Sequence, residues 1–291
     1  MSLDRKGRLT LAALRRLPVH ALSRAAGRLA ALRLPGPLQR VVIRGFARLV
    51  GVDWSEVRDP LRDFTSLQAF FTRRLADGVR RLDPAPDALV SPCDGTWGAT
   101  GCVERGTLLQ LKGRPYALDA LLGGEGAAKP FEGGDYATLY LAPKDYHRFH
   151  VPLDARVLRA SYLPGSLWPV NRIGVEGING LFAENERICI WLESVQRPGE
   201  QLCVVAVGAT LVGKVHLDFD RDLTTNVRRG VRNDRRYTDP ARIERGAPLG
   251  RFEFGSTLVL IATPGGFRLE PRAPGRRTRL GRRIGAVLPV P

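Results

Sequence analysis

Residues 251–261 read RFEFGSTLVLI, and the rest of the chain is interpreted outward from them. The run is apolar and rich in residues that favour strands, and a Gly-Ser pair interrupts it at Gly255 and Ser256. Such a pattern predicts a strand with a bulge or a tight bend at the glycine. On composition alone the glycine is a structural feature of this strand, so any other role depends on the segments around it.

Short runs of the same β type occur from about residue 88 onward, separated by Gly, Pro, Asp and Asn turns. We predict strands at residues 107–111, 136–142, 155–162, 187–193, 202–207 and 210–217. Long helices do not alternate with these runs, which argues against a doubly wound parallel sheet. A mostly antiparallel β domain, either a sandwich or a partly closed barrel, fits the pattern better.

The segment before residue 60 is helical in character and interrupted at Pro18 and at residues 35–37 (PGP). In the last of these helices, Leu38, Val41, Val42, Phe46, Leu49 and Val50 fall on one face, and Arg40, Arg44 and Arg48 fall on another. The apolar face could pack on the domain core, or it could lie in the headgroup region of a membrane. The sequence leaves both interpretations open.

Together these patterns predict an α+β fold with two regions. Residues 1–62 form basic amphipathic helices that associate with a membrane, and residues 63–291 form the β domain. A helix is expected after Asp63, where Thr65 and Gln68 have the spacing of a capping box. Residues 218–245 are polar and rich in arginine, which predicts an exposed loop or insertion.

The chain carries a formal net charge of +16 over 291 residues, which indicates an anionic partner. The excess lies at the ends, because residues 1–50 contain eleven Lys and Arg against Asp4 alone, and residues 256–291 contain seven Arg against Glu270 alone. The basic helices have no interleaved aromatic residues, which disfavours nucleic acid. The longest uncharged stretch, residues 254–267, is shorter than the roughly 18–20 residues of a membrane-spanning helix. No secretory signal is expected either, since Arg15 and Arg16 interrupt the first apolar run.

Four scattered cysteines form no CxxC motif, so we expect reduced thiols and no disulfide framework. A zinc site of Cys93 with His147 and His150 matches no common ligand spacing, and no metal is predicted.

Three residues outside these patterns have the types that activate a serine nucleophile: Asp94, His150 and Ser256. An imidazole held by a carboxylate can remove the hydroxyl proton that makes serine a poor nucleophile. Ser256 is not in a Gly-x-Ser-x-Gly elbow, which disfavours an α/β-hydrolase. From these residues alone, a chance combination and a hydrolase triad both stay open.

Several segments over roughly residues 60–262 resemble, in order and spacing, the phosphatidylserine decarboxylase family. They are residues 91–95 (SPCDG), 146–152 (YHRFHVP), 165–171 (GSLWPVN), 185–187 (NER), 207–210 (VGAT) and 254–257 (FGST). The chain departs from the usual family pattern at Phe254, where Leu is usual, at Trp168-Pro169, where Phe-Ser is typical, and at Lys214, where Ser is often found.

The resemblance implies that the chain cuts itself between Gly255 and Ser256, giving a β chain of residues 1–255 and an α chain of residues 256–291. Asp94 would orient His150 and balance its charge, and His150 would deprotonate Ser256 for attack on the Gly255 carbonyl. Ser256 would become a pyruvoyl group, a covalent cofactor that forms a Schiff base with the lipid amine and accepts the electrons left by CO₂. His147 is the candidate acid that returns a proton, although a structural histidine is the alternative.

By the same resemblance, the chain is expected to convert phosphatidylserine to phosphatidylethanolamine, as a peripheral protein on the cytoplasmic side of the cell inner membrane. Its expected partners are phosphatidylserine, an anionic membrane surface and, from the family alone, a second copy in a homodimer. Two other hypotheses remain: a serine hydrolase that uses the same three residues, and an inactive basic module that binds membranes.

Overall fold

The computed structural model describes residues 12, 16–110, 114–210, 214–227, 230–253 and 255–290, so Phe254 lies outside the described residues. The helices are α1 (Val19–Ala30), α2 (Gly36–Val50), α3 (Leu67–Phe71), α4 (Leu118–Leu122), α5 (Arg172–Gly177) and α6 (Leu181–Glu184). The strands are β1 (Ala88–Val90), β2 (Gly95–Cys102), β3 (Thr107–Gln110), β4 (Arg114–Ala117), β5 (Asp135–Leu141), β6 (Arg148–His150), β7 (Ala155–Leu163), β8 (Arg187–Ser194), β9 (Gln201–Val207), β10 (Val215–Leu217), β11 (Asn233–Arg236), β12 (Arg242–Ile243), β13 (Pro248–Phe252), β14 (Ser256–Ala262), β15 (Phe267–Leu269), β16 (Arg277–Thr278) and β17 (Arg283–Val287).

The largest sheet has nine strands, in the order β11-β7-β8-β9-β14-β5-β2-β16, with β12 also paired to β7. Its neighbouring strands pair antiparallel. The strand that begins at Ser256 lies inside this sheet, between β9 and β5. The arginine-rich segment at residues 218–245 contributes β11 and β12 to one edge.

Side chains of β14 alternate between two hydrophobic clusters, one on each face of the large sheet. Leu258, Leu260 and Ala262 belong to one cluster, and Val259 and Ile261 belong to the other. All seven residues of the strand are buried, as the continuous apolar run predicts for a strand covered on both faces. Because burying one such side chain contributes roughly 1.5–3 kcal/mol, this strand is strongly anchored.

A smaller antiparallel sheet in the order β10-β13-β6 stands beside the large one. The chain leaves the small sheet at Phe252, the last residue of β13, and enters the large sheet at Ser256. The Gly255-Ser256 bond therefore lies at the crossing between two sheets. The interruption in the apolar run predicted a bulge or tight bend; the structure has a change of sheet at this point.

The N-terminal helices form a third, smaller cluster around Ile43, Ala47 and Phe70. Helix α2 follows Pro35, has Pro37 in its first turn and ends at Gly51, whose φ of 81° is the left-handed conformation that glycine adopts easily. The capping box was misplaced by one residue: Ser66 caps α3, and its Oγ accepts a hydrogen bond from the Ala69 backbone N–H at 3.0 Å.

Some apolar residues of α2 pack on the protein and others are exposed, so the helix has both a core-facing and a solvent-facing apolar side. Phe46 and Val50 pack against the small cluster. Leu38, Val41 and Leu49 are 50%, 63% and 85% exposed, as a membrane-facing surface would require. No described helix has both the length and the apolar character needed to cross a membrane.

The observed architecture confirms the predicted α+β class and its mostly antiparallel strands. The predicted strands correspond to β3, β5, β7, β8 and β9 within one residue at each end. The last prediction, residues 210–217, overlaps β10, which begins only at Val215, and residues 211–213 lie outside the described residues. Within the described residues the large sheet is not closed into a barrel, since it ends with β11 and β12 on one side and β16 on the other.

Candidate active site

Ser256 is the first residue of β14 and is completely buried. Its Oγ forms no hydrogen bond with any described residue. On the β5 side its backbone partner is Leu141. A buried hydroxyl without a partner costs free energy, so its presence here is consistent with a chemical role rather than a packing role.

His147 is the titratable side chain that lies beside the Gly255-Ser256 junction. Its Nε2 is 3.9 Å from the position that a Cβ on Gly255 would occupy. The ring packs on Phe71, with centroids 4.1 Å apart, and its Nδ1 is 2.8 Å from the Asp145 carbonyl oxygen. Because a carbonyl only accepts hydrogen bonds, Nδ1 carries the proton in the neutral ring and Nε2 has a free lone pair.

Burial strongly affects the protonation of His147. Removal from water lowers the pKa of its imidazole to about 3, so the ring is neutral near pH 7. Its Nε2 is buried and has no hydrogen-bond partner among the described residues. The junction is thus flanked by a neutral base whose lone pair is unoccupied.

His150 ends β6 in the small sheet, and both of its ring nitrogens have partners. Nδ1 donates to the Gly246 carbonyl oxygen at 2.8 Å, and Nε2 accepts from the Tyr146 hydroxyl at 3.0 Å. Burial lowers the pKa of this histidine, so it too favours the neutral form. Gly246 and Tyr146 therefore hold the ring that Asp94 was expected to orient.

Asp94 and His150 have different hydrogen-bond partners in the uncut chain, and the expected orienting role of Asp94 stays a prediction. The Arg80 guanidinium holds the Asp94 carboxylate, with Nε 2.9 Å from Oδ1 and Nη2 2.5 Å from Oδ2. The backbone N–H of Leu280 donates to Oδ1 at 2.8 Å. A guanidinium matches the carboxylate at two points and neutralises it, so it competes successfully with a neutral imidazole.

Tyr146 and Asp145 belong to the histidine segment, but neither was assigned a role from the sequence. Besides its carbonyl contact with His147, Asp145 accepts from the Ala142 N–H at 2.8 Å and from Arg277 Nη2 at 2.5 Å. Its carboxylate thus fixes the loop that carries both histidines. Arg80 was also missed, because nothing local distinguishes it from Arg73, Arg74 and Arg81 nearby.

His150 and Tyr146 line an open cavity of about 1110 Å³, while Ser256 lies deeper, within the large sheet.

Trp168, one of the departures from the family pattern, is hydrogen-bonded through its backbone N–H to Asn185 Oδ1 at 2.8 Å. Lys214, another departure, accepts a hydrogen bond through its carbonyl oxygen from the Glu253 N–H at 2.8 Å. The structure thus brings His147 to the Gly255-Ser256 junction and places Asp94 and His150 in nearby but separate hydrogen-bond networks.

Comparison with known proteins gives one consistent result. The family model described as phosphatidylserine decarboxylase matches residues 67–286. A phosphatidylserine decarboxylase proenzyme of Anaeromyxobacter sp. (strain K) is 47% identical over 282 residues, covering 96% of this chain and 99% of the relative. Proenzymes of the same name from Brevibacillus brevis and Myxococcus xanthus are 39% and 38% identical, covering 84% and 93% of this chain and 86% and 95% of the relatives. With a family match over most of its length and relatives this similar, the chain belongs to the phosphatidylserine decarboxylase family.

Proposed function

We propose that this chain is a proenzyme that cuts itself between Gly255 and Ser256 and then converts phosphatidylserine to phosphatidylethanolamine and CO₂. Family membership supports the reaction, since the relatives are named as proenzymes of this activity. The observation that carries the proposal for this chain is the buried Ser256 hydroxyl, which has no hydrogen-bond partner among the described residues and lies at the crossing between two sheets. In the uncut chain Ser256 is completely buried, which favours attack on the neighbouring backbone over attack on an external substrate, as a serine hydrolase would require.

The proposed cut begins when His150 takes the Ser256 proton and the hydroxyl oxygen attacks the Gly255 carbonyl carbon. The C–N bond breaks as the Ser256 nitrogen takes the proton from His150, which leaves an ester between Gly255 and Ser256 and a free amine on Ser256. Loss of the Ser256 Cα proton and of the Gly255 carboxylate gives dehydroalanine, and its hydrolysis by water releases ammonia and leaves a pyruvoyl group at the start of the α chain. His150 suits this role because its Nδ1 proton is engaged by Gly246, which leaves the Nε2 lone pair as the basic site. Tyr146 occupies that lone pair, so its hydroxyl must move aside or pass the proton on.

The residues at the junction fit a covalent group made from Ser256. A buried environment with few competing hydrogen bonds would protect an electrophilic carbonyl from water. When present, the pyruvoyl group supplies the electron acceptor for decarboxylation that protein side chains lack. The other groups that the reaction needs are side chains of this chain near the junction.

His147 is the proposed proton donor, although the uncut chain holds it neutral. The cut itself changes this situation, because it leaves a new carboxylate on Gly255 beside His147 Nε2. A nearby negative charge favours the protonated imidazole. Two contacts hold the preceding residues in place, the Phe252 N–H to the His147 carbonyl oxygen at 2.9 Å and Glu253 Oε1 to His216 Nε2 at 2.8 Å. The new Gly255 carboxylate would therefore form beside His147 and favour its protonated form, which can donate a proton.

The two chains should remain together after the cut. The proposed α chain supplies β14 to the interior of the large sheet, and β17 lies between β1 and β15 in a separate sheet. Asp94 of the β chain also accepts a hydrogen bond from Leu280 of the α chain. Separating the chains would expose one of the most buried strands of the protein.

The membrane-associating region proposed at residues 1–62 includes α1 and α2. Exposed apolar residues on these helices, Leu22, Leu29, Leu38, Val41 and Leu49, are interspersed with arginines. Such a surface suits anionic lipid headgroups, with about 1 kcal/mol of attraction for each basic residue near the membrane. Peripheral binding to the cytoplasmic side of the inner membrane, and assembly as a homodimer, complete the proposal.

A pair of variants tests the assignment of His147 and with it the proposed reaction. His147→Ala should cut itself normally but decarboxylate dioctanoyl phosphatidylserine at least about 100-fold more slowly, the usual scale of a lost general acid. His20→Ala, which alters a histidine of α1, is the matched control and should retain both activities. Normal decarboxylation by the His147→Ala enzyme would remove His147 from the mechanism.

A further inference from the structure

The open cavity beside His150 has strongly cationic walls. Two acids, Asp77 and Asp218, also line it. The arginines that line it are Arg58, Arg74, Arg80, Arg148, Arg221 and Arg251. A concave surface with this balance of charge concentrates anions, because its low-dielectric walls focus the field into the cavity.

Three of the cationic or ionisable residues form a row across the small sheet. Arg251 on β13 pairs directly with Arg148 on β6 and with His216 on β10. Directly opposed residues of antiparallel strands point to the same face, and here all three side chains line the cavity. Like charges placed opposite each other destabilise a sheet. A bound anion beside the row would reduce this repulsion.

The acids near the row offset only part of this charge. Asp218 pairs with Arg251 at 3.2 Å, and Glu253 pairs with His216 at 2.8 Å. Arg148 donates through Nε to the Thr72 carbonyl oxygen at 3.0 Å and has no carboxylate partner among the described residues. Near the row, Arg74 and Arg221 are exposed and likewise have no carboxylate partner within the described part of the chain. Arg80 does not contribute, since Asp94 and Glu56 already neutralise it.

The row is placed to act together with the catalytic residues. Arg148 and His150 are two residues apart on β6, so their side chains share one face at a spacing of about 7 Å along the strand. Arg251 lies on β13, the last strand before the junction, four residues before Gly255. An anion held at this row would keep the rest of its molecule close to His150 and Tyr146.

We propose that Arg148 and Arg251 bind a phosphodiester, with Arg74 and Arg221 attracting it to the cavity. Assigning the phosphodiester to the headgroup of the lipid substrate rests on the proposed function. The cationic site itself does not, because free phosphate has the same chemistry and could occupy the same arginines. Charge-assisted hydrogen bonds from arginine to a phosphate are commonly bidentate and are stronger than hydrogen bonds between neutral groups.

Binding to the uncut Ser256→Ala protein tests the site without any turnover. Calorimetric titration with glycerophosphoserine, the soluble headgroup of the substrate, should show binding. Adding Arg251→Gln should weaken that binding about tenfold or more, and Arg74→Gln, at an exposed position, should weaken it by less. Arg268→Gln removes the same charge from an exposed position on β15, outside the cavity, and should leave the affinity unchanged.

Arg251→Lys is the control for a folding defect, because it keeps the positive charge. It should bind glycerophosphoserine more tightly than Arg251→Gln does. Inorganic phosphate should bind at least tenfold more weakly than glycerophosphoserine. Equal affinity for inorganic phosphate would assign the cavity to free phosphate and overturn the lipid assignment. Unchanged glycerophosphoserine affinity in Arg251→Gln, or no binding to the parent protein, would overturn the site itself. Because no result depends on decarboxylation, failure of this site is distinguishable from failure of the proposed reaction.

Discussion

Arg80 lies between Asp94 and Glu56 and binds both carboxylates through its guanidinium group. Its Nη2 is 2.5 Å from Asp94 and 2.7 Å from Glu56. Although burial favours the neutral form, the hydrogen bonds to both acids raise the pKa of Arg80 above its ordinary value. Arg279, from the segment after the proposed cut, also reaches Glu56 at 3.1 Å. One ionic network thus joins the N-terminal region, the Asp94 turn and the proposed α chain.

Replacing Arg80 with methionine should lower the free energy of unfolding by about 3–5 kcal/mol, because Asp94 would remain buried and largely unpaired. Urea unfolding of the Ser256→Ala protein with and without this change measures the difference. The control is Arg272→Met, which breaks the exposed pair with Glu270 and should cost no more than about 1 kcal/mol. Adding Asp94→Asn to Arg80→Met should recover part of the loss. Equal effects of Arg80→Met and Arg272→Met would show that the network contributes little.

Replacing Ser256 with alanine should give one uncut, inactive chain that is at least as stable as the chain before cutting. The reason is that the substitution removes a buried hydroxyl for which the described part of the chain offers no hydrogen-bond partner. Thr257→Val is the matched control, since the Thr257 hydroxyl is also buried and unpartnered within the described residues. That variant should still cut. Gel electrophoresis under denaturing conditions shows the outcome, and a cut in Ser256→Ala would rule out Ser256 as the nucleophile.

The strands were predictable from local sequence because their apolar residues recur with a short period and turn residues bound them. β14 is the clearest case, since its apolar run continues from Leu258 to Ala262. The charged partners were not predictable, because contacts such as Arg80 with Asp94 depend on how distant turns come together. The row of Arg148 and Arg251 depends on strand register in the same way. The helix cap is Ser66 rather than Thr65, and prediction from sequence has difficulty in choosing between adjacent residues that both carry a hydroxyl.

The uncut protein should lose stability as the pH falls below 6.5. The folded state holds the pKa of His147 at about 3, whereas the unfolded chain has the ordinary value of 6.5. Below pH 6.5 the unfolded state therefore binds a proton that the folded state excludes, and the stabilisation decreases by up to about 1.4 kcal/mol per pH unit. Urea unfolding of Ser256→Ala at several pH values between 7 and 4 measures this slope. Adding His147→Gln should make the slope shallower; an unchanged slope would contradict the low pKa.

The exposed apolar face of α2 should be required for binding to membranes but not for folding. Replacing Leu38, Val41 and Leu49 together with serine should weaken binding to anionic vesicles at least about tenfold, because these side chains would no longer enter the headgroup region. Thermal unfolding should change little, since all three are exposed. Val231→Ser changes an exposed valine outside the N-terminal region and is the control. Full vesicle binding by the triple variant would assign membrane contact to another surface.

The intact mass of the purified wild-type protein under denaturing conditions tests the central claim most directly. The account predicts two chains, residues 1–255 and residues 256–291, with the smaller chain lighter by one ammonia than a chain that begins with serine. That deficit would identify the pyruvoyl group as well as the cut. A single full-length chain, from protein incubated with phosphatidylserine vesicles, would contradict self-cleavage between Gly255 and Ser256.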